Sequence, residues 1–329
     1  MSWRPSGLSL GVDVGGTKVL GVALDSQGAV VARSVSPTPQ RVGTASRSLG
    51  SLVTTTVAHV LRELEQETDG ACVDSPACIG LPGMVRRDGV LLFAPHLRGA
   101  DGLDLGSTLP RRGGASIKVL NDADCAAVAE QRLGAAQGHA HVLVITLGTG
   151  IGGGVLVDGT LLRGANGFAG EFGHMVIDPT GPECPCGSRG CWERYASGSA
   201  VGRFARDAAE AGRLEAIVER AGGDPEDVRG EHVTAAALAG DAEALTLLDH
   251  VGWWLARGLA NLVASFDPSC IVIGGGLSRA ADLLVPAARR HLRGLLEGGA
   301  QRPAIELVRA SLGPDAGAVG AALIAGGQL

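Results

Sequence analysis

Residues 8–25 read LSLGVDVGGTKVLGVALD, in which two aliphatic runs flank a pair of adjacent glycines. Such runs favour β-strands, and the glycine pair supplies a tight turn between them. A third run over residues 29–35 follows a polar turn, so the chain opens as a predicted three-stranded meander. The first strand ends on an acidic residue, Asp13, which makes this stretch a candidate ligand site as well as a fold signal.

Outside this meander, the chain alternates predicted strands and helices. A second strand–glycine turn–strand unit at 141–157 repeats the opening order, which indicates two related α/β lobes; we place them in residues 1–121 plus 314–329 and in residues 122–313. The other predicted strands are 77–81, 116–120, 270–273 and 305–308. The predicted helices are 44–67, 122–133, 241–264, 280–296 and 316–325, with a helical region over 197–250 and a loop-rich one over 165–195.

The composition sets limits on function. The 329 residues suffice for about two domains, and 45% of them are hydrophobic. A formal net charge of −6 gives no electrostatic reason to expect nucleic acid or an anionic membrane as partner. No targeting segment and no run of 18 apolar residues occurs, so we expect a cytoplasmic protein.

Glycine makes up 52 residues, about 16% against a usual ~7%, and it clusters in short motifs. Three of these motifs follow predicted strands, at residues 13–18, 146–154 and 273–278. Such glycines expose backbone N–H groups to a phosphate, and Asp13 could hold Mg²⁺ or its water. Each motif alone is also compatible with an ordinary turn, but the three together indicate nucleotide binding.

Asp122 follows Asn121 at the end of a predicted strand and the start of a helix. A carboxylate there could accept the proton of a substrate hydroxyl during phosphoryl transfer. The competing interpretation is that Asp122 only caps the helix.

Three of the seven cysteines fall within eight residues, ten residues after a histidine. Three thiolates and one imidazole make a closed tetrahedral zinc site, which is structural because no coordination position stays open. The ligands are His174, Cys184, Cys186 and Cys191. We expect the other cysteines (Cys72, Cys78, Cys125 and Cys270) to be core residues.

Together, these motifs resemble the ROK family of sugar kinases and repressors, and within it the bacterial ATP-dependent glucokinases. The similarity covers residues 8 to about 325. It is most specific at residues 184–198, CPCGSRGCWERYASG. It implies a two-lobed actin-like, hexokinase-like (ribonuclease H-like) α/β fold with the active site in the interlobe cleft.

The resemblance also implies roles for individual residues. Asp122 becomes the catalytic base for the 6-hydroxyl of a sugar. The sugar is hydrogen-bonded by Asn121, Asp122, Glu171, His174 and Glu193. ATP is held by Asp13, Gly15, Gly16, Thr17, Lys18, Gly148, Thr149, Gly150, Gly152, Gly274, Gly275 and Gly276. The implied cofactors are ATP, Mg²⁺ and a structural Zn²⁺ that braces the loop carrying the sugar ligands.

Two residues depart from the family pattern. His96 stands where the family commonly has a sugar-contacting asparagine, and Asp124 stands where it commonly has asparagine. The first departure leaves the preferred sugar open.

We expect a glucokinase that uses ATP and glucose and assembles as a homodimer or homotetramer. The alternatives are a kinase for N-acetylmannosamine, N-acetylglucosamine, fructose or mannose, a polyphosphate-dependent kinase, and a sugar-sensing regulator without its DNA-binding domain.

Overall fold

The structure is a computed structural model, and it describes residues 7–40, 48–95, 97, 99–110, 112, 114, 117–276 and 278–327. His96 lies outside the described residues, as does the first part of the helix predicted from residue 44. The chain divides into two compact units. The first holds the described residues of Met1–Ala140, Gly154–Gly170 and Pro314–Leu329, and the second holds those of His141–Gly153 and Glu171–Gly313.

The strands are numbered in chain order. They are β1 (Ser9–Val14), β2 (Lys18–Leu24), β3 (Val30–Pro37), β4 (Ala77–Leu81), β5 (Met84–Val85), β6 (Val90–Phe93), β7 (Leu103–Asp104), β8 (Lys118–Asn121), β9 (Val142–Leu147), β10 (Ile151–Val157), β11 (Thr160–Leu161), β12 (Cys270–Gly274) and β13 (Glu306–Arg309).

The α-helices are numbered in the same way. They are α1 (Leu49–Glu67), α2 (Leu105–Thr108), α3 (Asp122–Arg132), α4 (Glu193–Ala196), α5 (Gly198–Glu210), α6 (Glu215–Ala221), α7 (Gly230–Leu238), α8 (Ala242–Phe266), α9 (Ser278–Leu295) and α10 (Ala316–Ala325). None of the helices in the described part of the chain combines the length and the apolar character needed to cross a membrane.

The predicted meander is confirmed. Strands β1 and β2 pair antiparallel, as do β2 and β3, while β4 joins β1 and β8 joins β4 in parallel. The resulting five-stranded order is β3-β2-β1-β4-β8. Because β1, β4 and β8 run parallel, their carboxyl ends lie along one edge of the sheet, which is where open α/β sheets usually bind ligands.

The predicted duplication is also present. A second five-stranded sheet has the order β11-β10-β9-β12-β13, which repeats the first order strand for strand. Its β9, β12 and β13 are parallel, like the corresponding strands of the first sheet. A small sheet of β5, β6 and β7 was not predicted, because two-residue strands carry no readable periodicity.

Helix α8 shows how the apolar spacing sets the packing. Apolar residues at positions 244, 248, 251, 255, 259 and 262 are spaced by three or four, which predicts one apolar face for this helix. Every one of them is buried. Asp241 begins the helix by accepting a hydrogen bond from the backbone N–H of Ala244. The helix extends to Phe266, two residues beyond its predicted end.

The compact units differ from the lobes predicted from sequence. Residues 122–140 and 154–170 group with the first unit, whereas the division predicted from sequence places them in the second lobe. Helix α3 belongs to the first unit because it packs against α10. The contact is so close that a Cβ atom built on Gly320 of α10 would lie 1.7 Å from the carbonyl oxygen of Cys125 in α3.

This contact gives the first prediction. Within a helix, replacing glycine with alanine normally stabilises a protein by about 0.5–1 kcal/mol. We expect Gly320→Ala to destabilise by about 1–3 kcal/mol instead, because the new Cβ must push α10 away from backbone atoms. Urea unfolding midpoints measure the difference. Gly294→Ala in α9, where a Cβ meets open space, is the matched control. A Gly320→Ala protein as stable as the wild type would contradict this account of the α3–α10 contact.

Candidate functional site

In the first unit, the β1–β2 turn is held by its own backbone. The N–H of Gly15 donates to the carbonyl of Lys18 at 2.9 Å, and the hydroxyl of Thr38 donates to the carbonyl of Gly15 at 2.6 Å. Gly16 and Thr17 at the tip are exposed, while Lys18 is half-buried. The turn therefore presents backbone and hydroxyl donors to solvent in a fixed conformation, which suits an anionic ligand.

Asp13 lies just below this turn. One of its carboxylate oxygens, Oδ1, is buried and has no hydrogen-bond partner among the described residues. Burial raises the pKa of Asp13 to about 6, and the positive charge of Lys18 partly opposes this rise. Buried carboxylate oxygens are normally hydrogen-bonded or bound to a cation. This oxygen therefore fits a site for a hard cation such as Mg²⁺.

Asn121 and Asp122 end β8 and begin α3. The side-chain oxygen of Asn121 accepts from the N–H groups of Ala123 and Asp124, and its amide donates to the carbonyl of Gly83 at 2.9 Å. Asn121 is therefore the cap of α3. Asp122 is the first residue inside the helix, and its carboxylate accepts from the N–H of Ala123 at 2.8 Å, so the cap position belongs to Asn121 and not to Asp122.

Gly80 of β4 lies between the side chain of Asp13 and the backbone of Asp122 in the first unit. A Cβ atom built on Gly80 of β4 would lie 3.5 Å from Asp13 Oδ1 and 3.4 Å from Asp122 Cα. Gly80 is paired in register with Asp13 on β1 and with Leu120 on β8. The sheet thus brings Asp13 close to the start of α3, where Asp122 lies.

Sequence reasoning missed an ion pair on the same helix. The side chain of Asp124 is 1% exposed, and Arg163 Nε lies 3.8 Å from its Oδ2. A buried carboxylate requires a counter-charge, and Arg163 supplies it from the segment after β11. An acidic residue at position 124, inside a mostly apolar helix, indicates that a positively charged partner is needed. The sequence does not identify that partner, because Arg163 lies 39 residues away.

In the second unit, the glycine turn between β9 and β10 is tied to a helix. The N–H of Gly148 donates to the carbonyl of Gly150 at 3.0 Å, and the carbonyl of Gly148 accepts from the N–H of Gly198, the first residue of α5. Thr149 at the tip of this turn is exposed. Gly152 lies further along, inside β10.

The third glycine motif follows β12 in the second unit. Gly274 ends the strand, and Gly275 has a φ of +96°, a conformation that favours glycine. A Cβ on Gly275 would also come within 2.6 Å of the backbone of Leu147. Gly275 is therefore required by the fold itself, while Gly275 and Gly276 expose backbone at the end of the strand.

The predicted metal ligands come together. His174, Cys184, Cys186 and Cys191 each offer a ligand atom, and these four atoms all lie within 4.8 Å of one another. The sulfurs of Cys186 and Cys191 are 3.7 Å apart, and Cys184 Sγ is 3.8 Å from His174 Nδ1. A tetrahedral zinc with metal–sulfur bonds of about 2.3 Å separates its sulfurs by about 3.8 Å. The cluster therefore fits a zinc ion.

Two glutamates lie against this cluster. Glu193 Oε1 is 3.8 Å from His174 Nδ1 and 3.2 Å from Cys184 Sγ, and Glu171 Oε2 is 4.0 Å from His174 Nε2. Burial raises the pKa of Glu171; the charge of His174 opposes the rise and that of Glu193 adds to it. Both carboxylates thus lie beside the imidazole of the possible metal cluster.

Aromatic residues anchor the cysteine loop to α8. Trp192 is fully buried, and its indole N–H donates to the carbonyl of Trp254 at 3.0 Å. The hydroxyl of Tyr195 donates to Asp178 at 2.6 Å, and its ring stacks on Trp254 at a centroid distance of 4.1 Å. Tyr195 and Trp254 thus support the loop through packing.

The chain is similar along nearly its whole length to proteins of one family. The model of the ROK family matches residues 9–328. A glucokinase from Streptomyces coelicolor is 37% identical over 97% of this chain and 98% of its own length. A glucokinase from Thermotoga maritima is 34% identical over 96% of each chain. The crystal structure of a ROK family glucokinase from Streptomyces griseus in complex with glucose and AMPPNP is 36% identical, with a TM-score of 0.81 over 97% of this chain and 99% of that one.

The pKa of Asp13 gives the second prediction. Because its folded-state pKa of about 6 lies above the ordinary value of 3.8, the folded protein binds the proton more tightly than the unfolded chain. The free energy of unfolding therefore falls as the pH rises from 3.8 through about 6, by about 1–3 kcal/mol in all. We expect Asp13→Asn to raise the melting temperature at pH 7.5.

The rise in melting temperature caused by Asp13→Asn should become smaller as the pH falls to 4.5, where the wild-type carboxyl is protonated. Differential scanning calorimetry at the two pH values measures the effect. Asp25→Asn controls for the loss of one charge, because Asn retains the side-chain oxygen with which Asp25 accepts from Gln27 and Ala29. An Asp13→Asn protein that is less stable at pH 7.5 would contradict the assigned desolvation cost.

Proposed function

Because the chain belongs to the ROK family, we propose that it is an ATP-dependent glucokinase, which transfers the γ-phosphoryl group of ATP to the 6-hydroxyl of glucose and yields glucose 6-phosphate and ADP. Its fold is the mixed α/β fold of ROK sugar kinases, within the hexokinase-like, actin-like group. The observation that carries the proposal is the full-length similarity to a glucokinase whose structure holds both glucose and AMPPNP.

In this proposal, Asp122 is the catalytic base. It accepts the proton of the sugar hydroxyl as the oxygen attacks the γ-phosphorus, and the bond to the β,γ-bridging oxygen breaks with its electrons leaving on ADP. Two features support the role. Asn121 already caps α3, so the Asp122 carboxylate is not needed for that purpose. The side chain is also half-buried, which limits competition from water.

The sugar contacts come from residues that other interactions already orient. Asn121 is oriented by its hydrogen bond to Gly83, and Glu171 and Glu193 lie next to His174. Carboxylates and amides bind sugar hydroxyls with strong, directional hydrogen bonds. Asn121, Asp122, Glu171, His174 and Glu193 are therefore the proposed sugar ligands.

The glycine turns hold the nucleotide. The β1–β2 turn, with Gly15, Gly16, Thr17 and Lys18, and the β9–β10 turn, with Gly148, Thr149, Gly150 and Gly152, bind the phosphates. Gly274, Gly275 and Gly276 lie beside the adenosine. The unpartnered oxygen of Asp13 fits Mg²⁺ or a water bound to it. When bound, Mg²⁺ neutralises charge on the phosphates.

The cysteine cluster holds a structural zinc. Four protein ligands fill a tetrahedral ion, so this zinc takes no part in the chemistry. Its proposed task is to fix the loop from which Glu171 and Glu193 reach the sugar. His174 would offer one ring nitrogen to the zinc and the other to the sugar. We propose in addition that the protein assembles as a homodimer or homotetramer.

A kinetic survey tests the function. We expect kcat/KM with ATP to be higher for glucose than for mannose, fructose, N-acetylglucosamine or N-acetylmannosamine. Polyphosphate should replace ATP poorly as donor. A preference for an N-acetylhexosamine would correct the substrate, and sugar binding without phosphorylation by any donor would indicate a regulator instead.

The third prediction concerns Asp122. Asp122→Asn keeps the shape and the oxygen that accepts from the N–H of Ala123, but it removes the proton acceptor. We expect kcat to fall ~10²–10⁴-fold with little change in melting temperature. Asp241→Asn is the matched control, since it alters a helix-capping aspartate of α8 in the same way. Near wild-type turnover by a folded Asp122→Asn protein would rule out the assigned base.

The fourth prediction concerns the zinc. Cys186→Ala should lose the ion and most sugar phosphorylation but retain its circular dichroism spectrum and ATP binding, because both compact units have cores of their own. Elemental analysis should find one zinc per wild-type chain. Cys270→Ala, at a buried cysteine of β12, should keep the zinc. Absence of zinc from active wild-type protein would refute the site.

A further inference from the structure

Gly150, in the β9–β10 turn, lies directly against the carboxylate of Glu193. A Cβ atom built on Gly150 would come within 2.5 Å of Glu193 Oε2. The φ angle of Gly150 is outside the left-handed region, so its backbone conformation is open to other residues. A side chain at position 150 would therefore collide with the Glu193 carboxylate, whereas the backbone conformation at this position would allow one.

The other oxygen of Glu193 faces the metal cluster. Glu193 Oε1 is 3.8 Å from His174 Nδ1 and 3.2 Å from Cys184 Sγ. The side chain is only 18% exposed. Its carboxylate is thus held between the turn on one side and the cluster on the other, and a displacement from the turn would change its position relative to His174.

A second close approach joins the same turn to the segment that carries His174. A Cβ atom on Gly173 would lie 2.3 Å from the carbonyl oxygen of Ile151, the first residue of β10. Gly173 is in the short 3₁₀ turn Phe172–His174, immediately after Glu171. Both segments with proposed sugar ligands in the second unit therefore rest on backbone at residues 150–151.

We propose that Gly150 is a positioning residue for the sugar: it leaves the space that fixes the Glu193 carboxylate, so the turn assigned to phosphate binding is also part of the sugar site. The inference rests on the proposed function, in which Glu193 contacts the sugar. The two glycines of this motif then have different roles. Gly148 keeps backbone accessible to the nucleotide, whereas Gly150 makes room for a sugar ligand.

The test is Gly150→Ala. Because the atom in the way is the end of a flexible side chain, the carboxylate can move aside and the protein should fold with an unchanged melting temperature. A misplaced charged hydrogen bond weakens binding by about tenfold or more. We therefore expect the KM for glucose to rise at least about tenfold, and the dissociation constant for glucose measured calorimetrically without ATP to rise in parallel, while the KM for ATP changes less.

Gly148→Ala is the matched control. A Cβ atom at Gly148 has nothing within 4 Å, so Glu193 stays in place. We expect any loss in this variant to affect ATP and to leave the KM for glucose unchanged. A rise in the KM for glucose of equal size in both variants would overturn the proposal, because it would show a general effect of the turn.

A double-mutant cycle isolates the contact. Glu193→Asp shortens the side chain by one methylene and makes room for a Cβ at position 150. In this background, Gly150→Ala should change the KM for glucose less than about twofold, because the clash is gone. The effects of the two substitutions are then non-additive, as expected for residues in direct contact. If Gly150→Ala alone unfolds the protein, the double variant should still fold; unfolding of both would overturn the proposal.

The outcomes also separate this inference from the proposed function. A wild-type protein that phosphorylates no sugar overturns both. A wild-type protein that phosphorylates glucose, together with a Gly150→Ala variant whose affinity for glucose is unchanged, overturns only the role of Gly150.

Discussion

Close approach of backbone and carboxylates, made possible by missing side chains, is the constraint on which this structure depends. Gly320 lets α10 lie on α3, which is why the helix that starts at Asp122 belongs to the first unit. Gly80 lets Asp13 lie beside the start of α3 at Asp122, and Gly150 leaves room for the carboxylate of Glu193. The high glycine content is thus not only a source of turns. At these positions, it sets distances within the candidate site.

The site also carries an electrostatic cost. Burial raises the pKa of both Asp13 and Glu171, so their charged forms are less stable in the folded protein than in water. A fold that keeps such carboxylates gives up stability in the absence of ligands. Cations and sugar hydroxyls can recover part of that energy on binding, which is the usual relation between stability and function at an active site.

Local patterns in the sequence were enough to predict the meander, the apolar stripe of α8 and the metal cluster, because each depends on residues close together in the chain. The repeat of strand order was visible for the same reason. Long-range contacts were not predictable in this way. The Asp124–Arg163 pair, the packing of α3 on α10 and the contact between Gly150 and Glu193 each join segments 39 or more residues apart. Periodicity and spacing carry no information about such partners, and the small sheet of β5, β6 and β7 has strands too short to show any.

The central claim is that this chain moves a phosphoryl group from ATP to glucose. Phosphorus-31 NMR of the wild-type protein with equimolar glucose and MgATP tests it directly, since each phosphorus atom is followed separately. The account predicts that the γ-phosphate signal is replaced, one for one, by the signal of a hexose 6-phosphate monoester, with ADP formed in equal amount. Formation of inorganic phosphate in place of the monoester, or an unchanged ATP spectrum in the presence of bound glucose, would contradict it.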